Sequence, residues 1–102
     1  MPMLSAMAKE RNRVGKAFGE ALRAIRAELS ITQEALAEAA DFKASYVSML
    51  ETADRQPTIT TIVAFEQALG LDAGELVRRT ATAMRGKRIA APIQRNRGGR
   101  KS

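Results

Sequence analysis

The feature that most restricts the fold is a pair of very short helical segments in the middle of the chain, separated by a tight turn. The first begins at Thr32, a residue type that caps helices, and is only about two turns long. The second runs from Lys43 to Thr52, and Asp41 marks the break between them. Because the first segment is rich in Ala, we expect a neighbouring helix to pack closely against it.

Longer helices are predicted on both sides of this pair. Apolar residues at helical spacing over about four turns predict a first helix that begins at Val14 and ends at Ser30. A fourth helix begins at Thr58 and ends at Gly70, a typical residue just beyond a helix end. Residues 72–75 fit a capping box that starts a short fifth helix. No stretch alternates with period two, so we expect an all-α chain of five helices.

Composition excludes most classes of enzyme. The chain has no His and no Cys, which rules out the usual zinc and haem sites and any Ser–His or Cys–His nucleophile pair. Carboxylate chemistry and a bound Mg²⁺ stay open, but no paired-carboxylate motif supports them. We therefore expect neither a catalytic function nor a cofactor.

The hydropathy of the chain indicates no membrane segment. No apolar run approaches the roughly 20 residues that span a bilayer. Residues 1–13 place a short apolar patch before their charges, the reverse of the order in a secretory signal. We expect a cytoplasmic protein that does not contact a membrane.

Charge is distributed unevenly along the chain. The net charge is +6 overall, but residues 1–13 carry +2, residues 14–80 carry −3 and residues 81–102 carry +7. We expect a flexible basic N-terminal arm, a folded domain and a basic, Gly/Arg-rich tail that is largely disordered when free. Such a tail usually binds a polyanion, although it could serve only solubility.

Two short helices in second and third place of five describe a helix-turn-helix module. The stretch "TQEALAEAADFKASYVSMLETADRQPTITTIVAFEQALGL" resembles the Cro/C1-type (Xre) helix-turn-helix family of phage repressors, restriction-modification controllers and antitoxins. The resemblance covers residues 14–80 and is most specific in "TQEALA", "SYVSMLE", Pro57 and "ALGL". It implies a five-helix, lambda-repressor-like domain with disordered basic arms that binds double-stranded DNA.

The resemblance also implies which residues contact DNA. In this family the start of the second helix lies over a phosphate, where free N–H groups and a partial positive charge favour an anion. The third helix enters the major groove, and the loop after it touches the sugar-phosphate backbone. The positions that match are Thr32, Gln33, Lys43, Ala44, Ser45, Ser48, Met49, Thr52 and Arg55. None of them is the bidentate Arg–guanine or Gln–adenine reader, so DNA shape should contribute to specificity.

Some positions have a structural role in this family or an alternative to DNA contact. Arg26 and Glu51 match an ion pair that ties the third helix to the first. Tyr46 is expected either to pack at the edge of the core or to contact phosphate. Thr32 can cap its helix and still contact phosphate, and Arg55 could be only a solvated loop residue.

The chain departs from the family pattern at three positions. Asp41 occupies a turn position where Gly is usual, and Asp tolerates a left-handed backbone better than most residues. Ala53 replaces a common Gly, at a cost of roughly 1 kcal/mol if its φ is positive, so we expect that loop to close differently. Glu66 stands where a small apolar residue is common, which predicts a polar edge on the fourth helix.

These features predict a sequence-specific transcriptional regulator, a repressor that binds a pseudo-palindromic operator as a homodimer. Its half-sites should lie about 34 Å apart. The alternative is a protein-interaction module or an antitoxin-type component with autoregulatory DNA binding, whose partner is a toxin or another regulator. The expected dimer interface comprises Leu76, Val77, Thr80 and Met84. The alternative is that these residues only cap the core of the monomer.

Overall fold

The computed structural model describes residues 2–85 and 90–93 of the chain. These residues form α-helices and no strand, which confirms the predicted all-α fold. The helices are α1 (Pro2–Leu29), α2 (Gln33–Ala40), α3 (Ala44–Glu51), α4 (Ile59–Leu69) and α5 (Glu75–Ala83). Most of the predicted basic tail, including its Gly/Arg-rich end, lies outside the described residues.

Helix α1 is longer than its apolar spacing predicted. It begins at Pro2 rather than at Val14, so residues 2–13 are helical where a flexible arm was expected. Proline suits the first position of a helix, and the Ala, Met, Leu, Lys, Glu and Arg residues that follow are strong helix formers. The helix ends at Leu29, and Ser30 turns the chain with a φ of 56°. The finding corrects the predicted start of the helix.

Local caps set both ends of α2. The Thr32 hydroxyl accepts a hydrogen bond of 3.0 Å from the backbone N–H of Ala35, as its predicted role requires. Asp41 then adopts the left-handed conformation with a φ of 63°. The N–H of Phe42 bonds back to the Ala37 carbonyl at 2.8 Å, which closes the turn. The turn is therefore made with Asp in the place of the usual Gly.

The loop after α3 also uses a left-handed residue. Ala53 has a φ of 66°, so the expectation that this loop would close differently is wrong. The N–H of Asp54 bonds to the Met49 carbonyl at 2.8 Å and fixes the turn. The methyl group of Ala53 in this conformation costs about 1 kcal/mol relative to Gly.

Glu66 is buried rather than at a polar edge of α4. Its side chain is only 5% exposed. One carboxylate oxygen accepts from the N–H of Gly74 at 3.0 Å and the other from the N–H of Leu76 at 2.9 Å. Glu66 thus supplies the hydrogen bonds that the first turn of α5 lacks, a tertiary cap that the spacing of the sequence did not reveal.

The predicted capping box of α5 is present only in part. The Glu75 carboxylate accepts from the backbone N–H of Asp72 at 3.4 Å, as the motif requires. The residue that caps the helix is Gly74, with a φ of 88°, because the chain makes one more turn before α5 begins.

A single apolar core joins the helices. Helix α1 packs against α3 and α5, and α2 packs against α3 and α4. Phe42 extends the core, with its ring centroid 5.6 Å from that of Phe65. The residues of the core cluster are Phe18, Ala21, Leu22, Ile25, Leu36, Ala37, Val47, Leu50, Phe65, Leu69 and Leu76. No helix in the described part of the chain is both long enough and apolar enough to cross a membrane.

Candidate nucleic-acid interface

Helix α3 has one face buried in the core and an opposite face at the surface. Val47 and Leu50 are fully buried and anchor the helix. Ser45 is exposed and its neighbour one turn later, Met49, is partly exposed, so the two lie side by side on the outer face. Ala44 and Ser48, also partly exposed, form a second pair on that face. The exposed Lys43 occupies the position just before the helix and makes no capping hydrogen bond through its side chain. The predicted groove-facing residues therefore form one continuous surface.

An ion pair fixes the end of α3 to α1. Arg26 donates from Nε to one carboxylate oxygen of Glu51 at 2.6 Å and from Nη2 to the other at 2.9 Å. Arg26 also donates from Nη1 to the carbonyl of Ile31 at 2.8 Å, in the turn that leads into α2. One guanidinium thus connects α1, α3 and the start of α2.

The same carboxylate holds a predicted DNA contact in place. Gln33 donates from Nε2 to Glu51 at 2.9 Å. A side-chain amide carries a second N–H and a carbonyl oxygen, so this bond orients Gln33 and leaves it able to contact another group. The exposed Thr32 precedes it at the N-terminus of α2.

The charges of the ion pair are mutually stabilised. Burial alone would raise the pKa of Glu51, but hydrogen bonds from Arg26 and Gln33 outweigh it and hold the pKa below its ordinary value. The hydrogen bond to Glu51 in turn raises the pKa of Arg26. Glu51 is therefore an ionised carboxylate at neutral pH despite being 7% exposed.

Two residues after α3, Thr52 and Arg55, were predicted to contact DNA, and they differ in how far their side chains are already engaged within the chain. The Thr52 hydroxyl lies 3.1 Å from the Ser48 carbonyl and 3.1 Å from a carboxylate oxygen of Asp54, so it caps α3. Its proton is used inside the chain, so toward another molecule this hydroxyl can only accept a hydrogen bond. Arg55 is exposed and has no ion-pair partner among the described residues.

Tyr46 joins α3 to α4. Its hydroxyl lies 2.9 Å from that of Thr61, which is buried and also lies 3.1 Å from the hydroxyl of Thr58. Its ring centroid is 5.0 Å from that of Phe42. Of the two alternatives for Tyr46, these contacts favour packing over phosphate contact.

The structure alters the expected dimer interface. Leu76 is fully buried and Thr80 is 8% exposed, with its hydroxyl donating to the Leu76 carbonyl at 2.9 Å. These two side chains pack inside the subunit, because the α5 face that carries them lies on α1 and α4. Val77, which is 50% exposed, and the partly exposed Met84 remain available at the surface.

Two glycines that position the site were missed in the sequence. A Cβ atom at Gly19 would lie 2.5 Å from the Glu51 carbonyl oxygen, so α1 and α3 touch backbone to backbone there. A Cβ at Gly15, one turn earlier, would lie 2.6 Å from Nε2 of Gln56 in the α3–α4 loop. The four-residue spacing of two glycines inside a helix was the available signal, since it places both on one face.

Comparison with known proteins gives consistent results. Residues 22–76 match the family model described as Helix-turn-helix. The chain is 37% identical over 65 residues to an uncharacterized HTH-type transcriptional regulator, y4dJ of Sinorhizobium fredii, a match that covers 64% of this chain and 84% of that protein.

Two crystal structures of the clp gene regulator ClgR from Corynebacterium glutamicum are also similar. They have TM-scores of 0.65 and 0.66 at 30% and 29% identity. The matches cover 70% and 71% of this chain, and 92% and 77% of the respective ClgR chains.

Proposed function

The chain belongs to the helix-turn-helix family of Cro/C1 (Xre) type and is a DNA-binding transcriptional regulator; we propose that it is a repressor that binds a pseudo-palindromic operator as a dimer. The observation that carries this proposal is the outer face of α3. It is exposed around Ser45, while an ion pair and a buried apolar face hold the helix firmly on α1.

The composition of that face suggests how the tasks of binding are divided. Its small side chains allow base edges to come close, and its hydroxyl, methyl and thioether groups suit hydrogen bonds and thymine methyl contacts. It carries little charge, so Lys43, Arg55 and the basic ends of the chain would supply most of the attraction to phosphate. The N-terminus of α2, with Thr32 and Gln33, would contact a backbone phosphate.

Dimerisation would place two α3 helices in successive turns of the major groove. Half-sites about 34 Å apart on one face of the DNA would then form a pseudo-palindrome. Val77 and Met84 are the expected interface residues that remain at the surface. Sedimentation velocity at micromolar concentration tests this part of the proposal, and a strictly monomeric protein would contradict it.

Selection of genomic DNA fragments with the full chain tests sequence-specific binding. We expect recovery of one palindromic motif, and repression of a reporter gene placed behind it. A featureless pool of bound fragments would contradict sequence-specific recognition.

A charge substitution on α3 tests the assigned surface. Ser45→Glu places a carboxylate in the second position of the helix, where it should not destabilise the fold because the helix dipole favours an anion there. We expect at least about tenfold weaker binding to the selected DNA, because the carboxylate would face phosphate and base acceptors. The control is Gln67→Glu, the same added charge at an exposed position of α4 away from the proposed DNA and dimer surfaces, which should bind nearly as well as the wild type.

A further inference from the structure

The loop between α3 and α4 is bound to the N-terminal half of α1. Gln56 donates from Nε2 to the backbone carbonyl of Arg11 at 2.7 Å. One turn later on α1, the position of Gly15 leaves room for the same amide, and a Cβ there would also lie 3.6 Å from the Cβ of Ala53. The loop therefore rests against the α1 turn that runs from Arg11 to Gly15.

This contact brings two arginines to one edge of the molecule. Arg11 lies four residues before Gly15 and so shares the face of α1 that meets the loop. Arg55 directly precedes Gln56, about 3.8 Å away between Cα atoms. Both arginines are exposed, and the described part of the chain gives neither an acidic partner.

Two neighbouring cations without acidic partners suit a ligand with closely spaced negative charges. Arg55 is four residues beyond the end of α3, so this edge flanks the surface assigned to the major groove. The DNA backbone borders that groove and carries one phosphate for every ~3.4 Å of rise on each strand. Guanidinium groups bind phosphate in a bidentate way, more specifically than ammonium groups do.

We propose that Arg11 and Arg55 together bind the DNA backbone beside the groove entered by α3, and that Gln56 is a positioning residue that holds Arg11 there. The inference rests on the proposed function and deepens it. It assigns the turn of α1 from Arg11 to Gly15 to the interface as part of a helix instead of a flexible arm.

The dependence of DNA affinity on salt tests the two arginines. The full chain is titrated with a mixed-sequence duplex of about three helical turns over a range of salt concentrations, read by fluorescence anisotropy. Arg11→Ala and Arg55→Ala should each weaken binding at low salt and lower the log–log slope by about 0.9. Arg78→Ala, which removes an exposed arginine from α5, is the matched control and should leave the slope close to that of the wild type.

A double-mutant cycle tests the positioning role of Gln56. Gln56→Ala carries no charge change, so a lower salt slope in this variant would report the displacement of Arg11. Added to Arg11→Ala, the substitution should have little further effect on the slope, because the two residues act through one contact. A slope that Gln56→Ala leaves unchanged would contradict its role, even if the substitution lowers thermal stability.

The outcomes separate this inference from the proposed function. A wild-type chain that binds no DNA would overturn both. If Ser45→Glu abolishes binding while Arg11→Ala keeps the wild-type slope, the regulator function stands and the inference about α1 is overturned. The inference would also be overturned if an acidic protein bound the chain in a way that requires Arg11 and DNA did not compete with that binding.

Discussion

Glu51 shows how much of the interface depends on one buried charge. Its carboxylate receives both arms of the Arg26 guanidinium and the amide of Gln33. Through these bonds it fixes the end of α3, the last turn of α1 and the first turn of α2. A buried ion pair adds little net stability, because removing both ions from water is unfavourable. Removing only one partner of the pair is destabilising, since the charge of the other partner is left partly buried and uncompensated.

We predict that Glu51→Gln lowers the free energy of unfolding by about 3 kcal/mol at pH 7, because it leaves the Arg26 charge partly buried and uncompensated. Urea denaturation measures this loss. The control is Glu28→Gln, which removes a 54% exposed carboxylate from its pair with Arg79 and should leave stability nearly unchanged. A Glu51→Gln variant as stable as the wild type would contradict the structural role of the pair.

The pH dependence of the stability of the wild type and of Glu51→Gln provides a second measurement. The pKa of Glu51 is lower in the folded state than in the unfolded state. Its ionisation therefore stabilises the fold fully at a pH above the unfolded-state pKa of about 4.3. This stabilisation is lost as the pH falls through the folded-state pKa. The difference in stability between wild type and Glu51→Gln should therefore shrink below about pH 4. A difference that stays constant to lower pH would contradict the lowered pKa.

Among the elements, α1 is the scaffold against which the short helices are arranged. Helices as short as α2 and α3 are marginal alone in water, so packing must hold them. Gly19 allows the C-terminal end of α3 to reach the backbone of α1, and Gly15 admits the following loop. The outer face of α3 is thus oriented by Gly15 and Gly19, the two positions on α1 that have no side chain.

We predict that Gly19→Ala destabilises the fold by about 2 kcal/mol although Ala is the better helix former. Its Cβ would lie 2.5 Å from the Glu51 carbonyl oxygen and 2.8 Å from that of Leu50, so α3 would have to move. The midpoint temperature of thermal unfolding and the affinity for DNA should both be lowered. Gly15→Ala is the matched control for stability: its Cβ would crowd only the Gln56 side chain, which can rotate away at the loss of one exposed hydrogen bond, and Ala gains about 1 kcal/mol of helix propensity, so the net effect on stability should be small. Equal stability of the two variants would contradict the backbone contact at Gly19.

At the scale of the whole molecule, the net charge is +6, but the charge of the folded domain by itself is opposite in sign to that which attracts DNA. Residues 14–80 carry a net charge of −3, and residues 81–102 carry +7. We therefore expect long-range attraction to DNA to come from the ends of the chain, together with the arginines proposed at the edge of the interface. The domain would then supply orientation and specificity, and the basic ends would supply affinity.

We predict that truncation after Met84 lowers the salt dependence of DNA binding while the helical content of the domain is retained. The cut follows α5, whose last turn is closed by a 3.1 Å bond from the Met84 N–H to the Thr80 carbonyl. Each phosphate that the truncated chain no longer neutralises should reduce the log–log slope by about 0.9. Circular dichroism checks the fold, and an unchanged slope would show that the tail does not take part in binding.

Features that depend on neighbouring residues were predicted well from the sequence. Thr32 and Gly70 mark helix ends because a hydroxyl cap and a left-handed glycine act within one turn of the chain. The start of α1 was misplaced because the apolar spacing begins only at Val14, whereas helix formers begin earlier. Among the site residues, the outer face of α3 followed from its period once Val47 and Leu50 were assigned to the core.

The linear order of residues thus determines the helices, their short connecting turn and the uneven charge, since caps, propensity and periodicity act over a few residues. The tertiary fold alone reveals that Glu66 caps α5 and that Gln56 binds the carbonyl of Arg11. It also buries Leu76, which the sequence had placed at a dimer surface. These contacts join residues far apart in the chain, and their existence depends on how closely the helices approach, which no local pattern specifies.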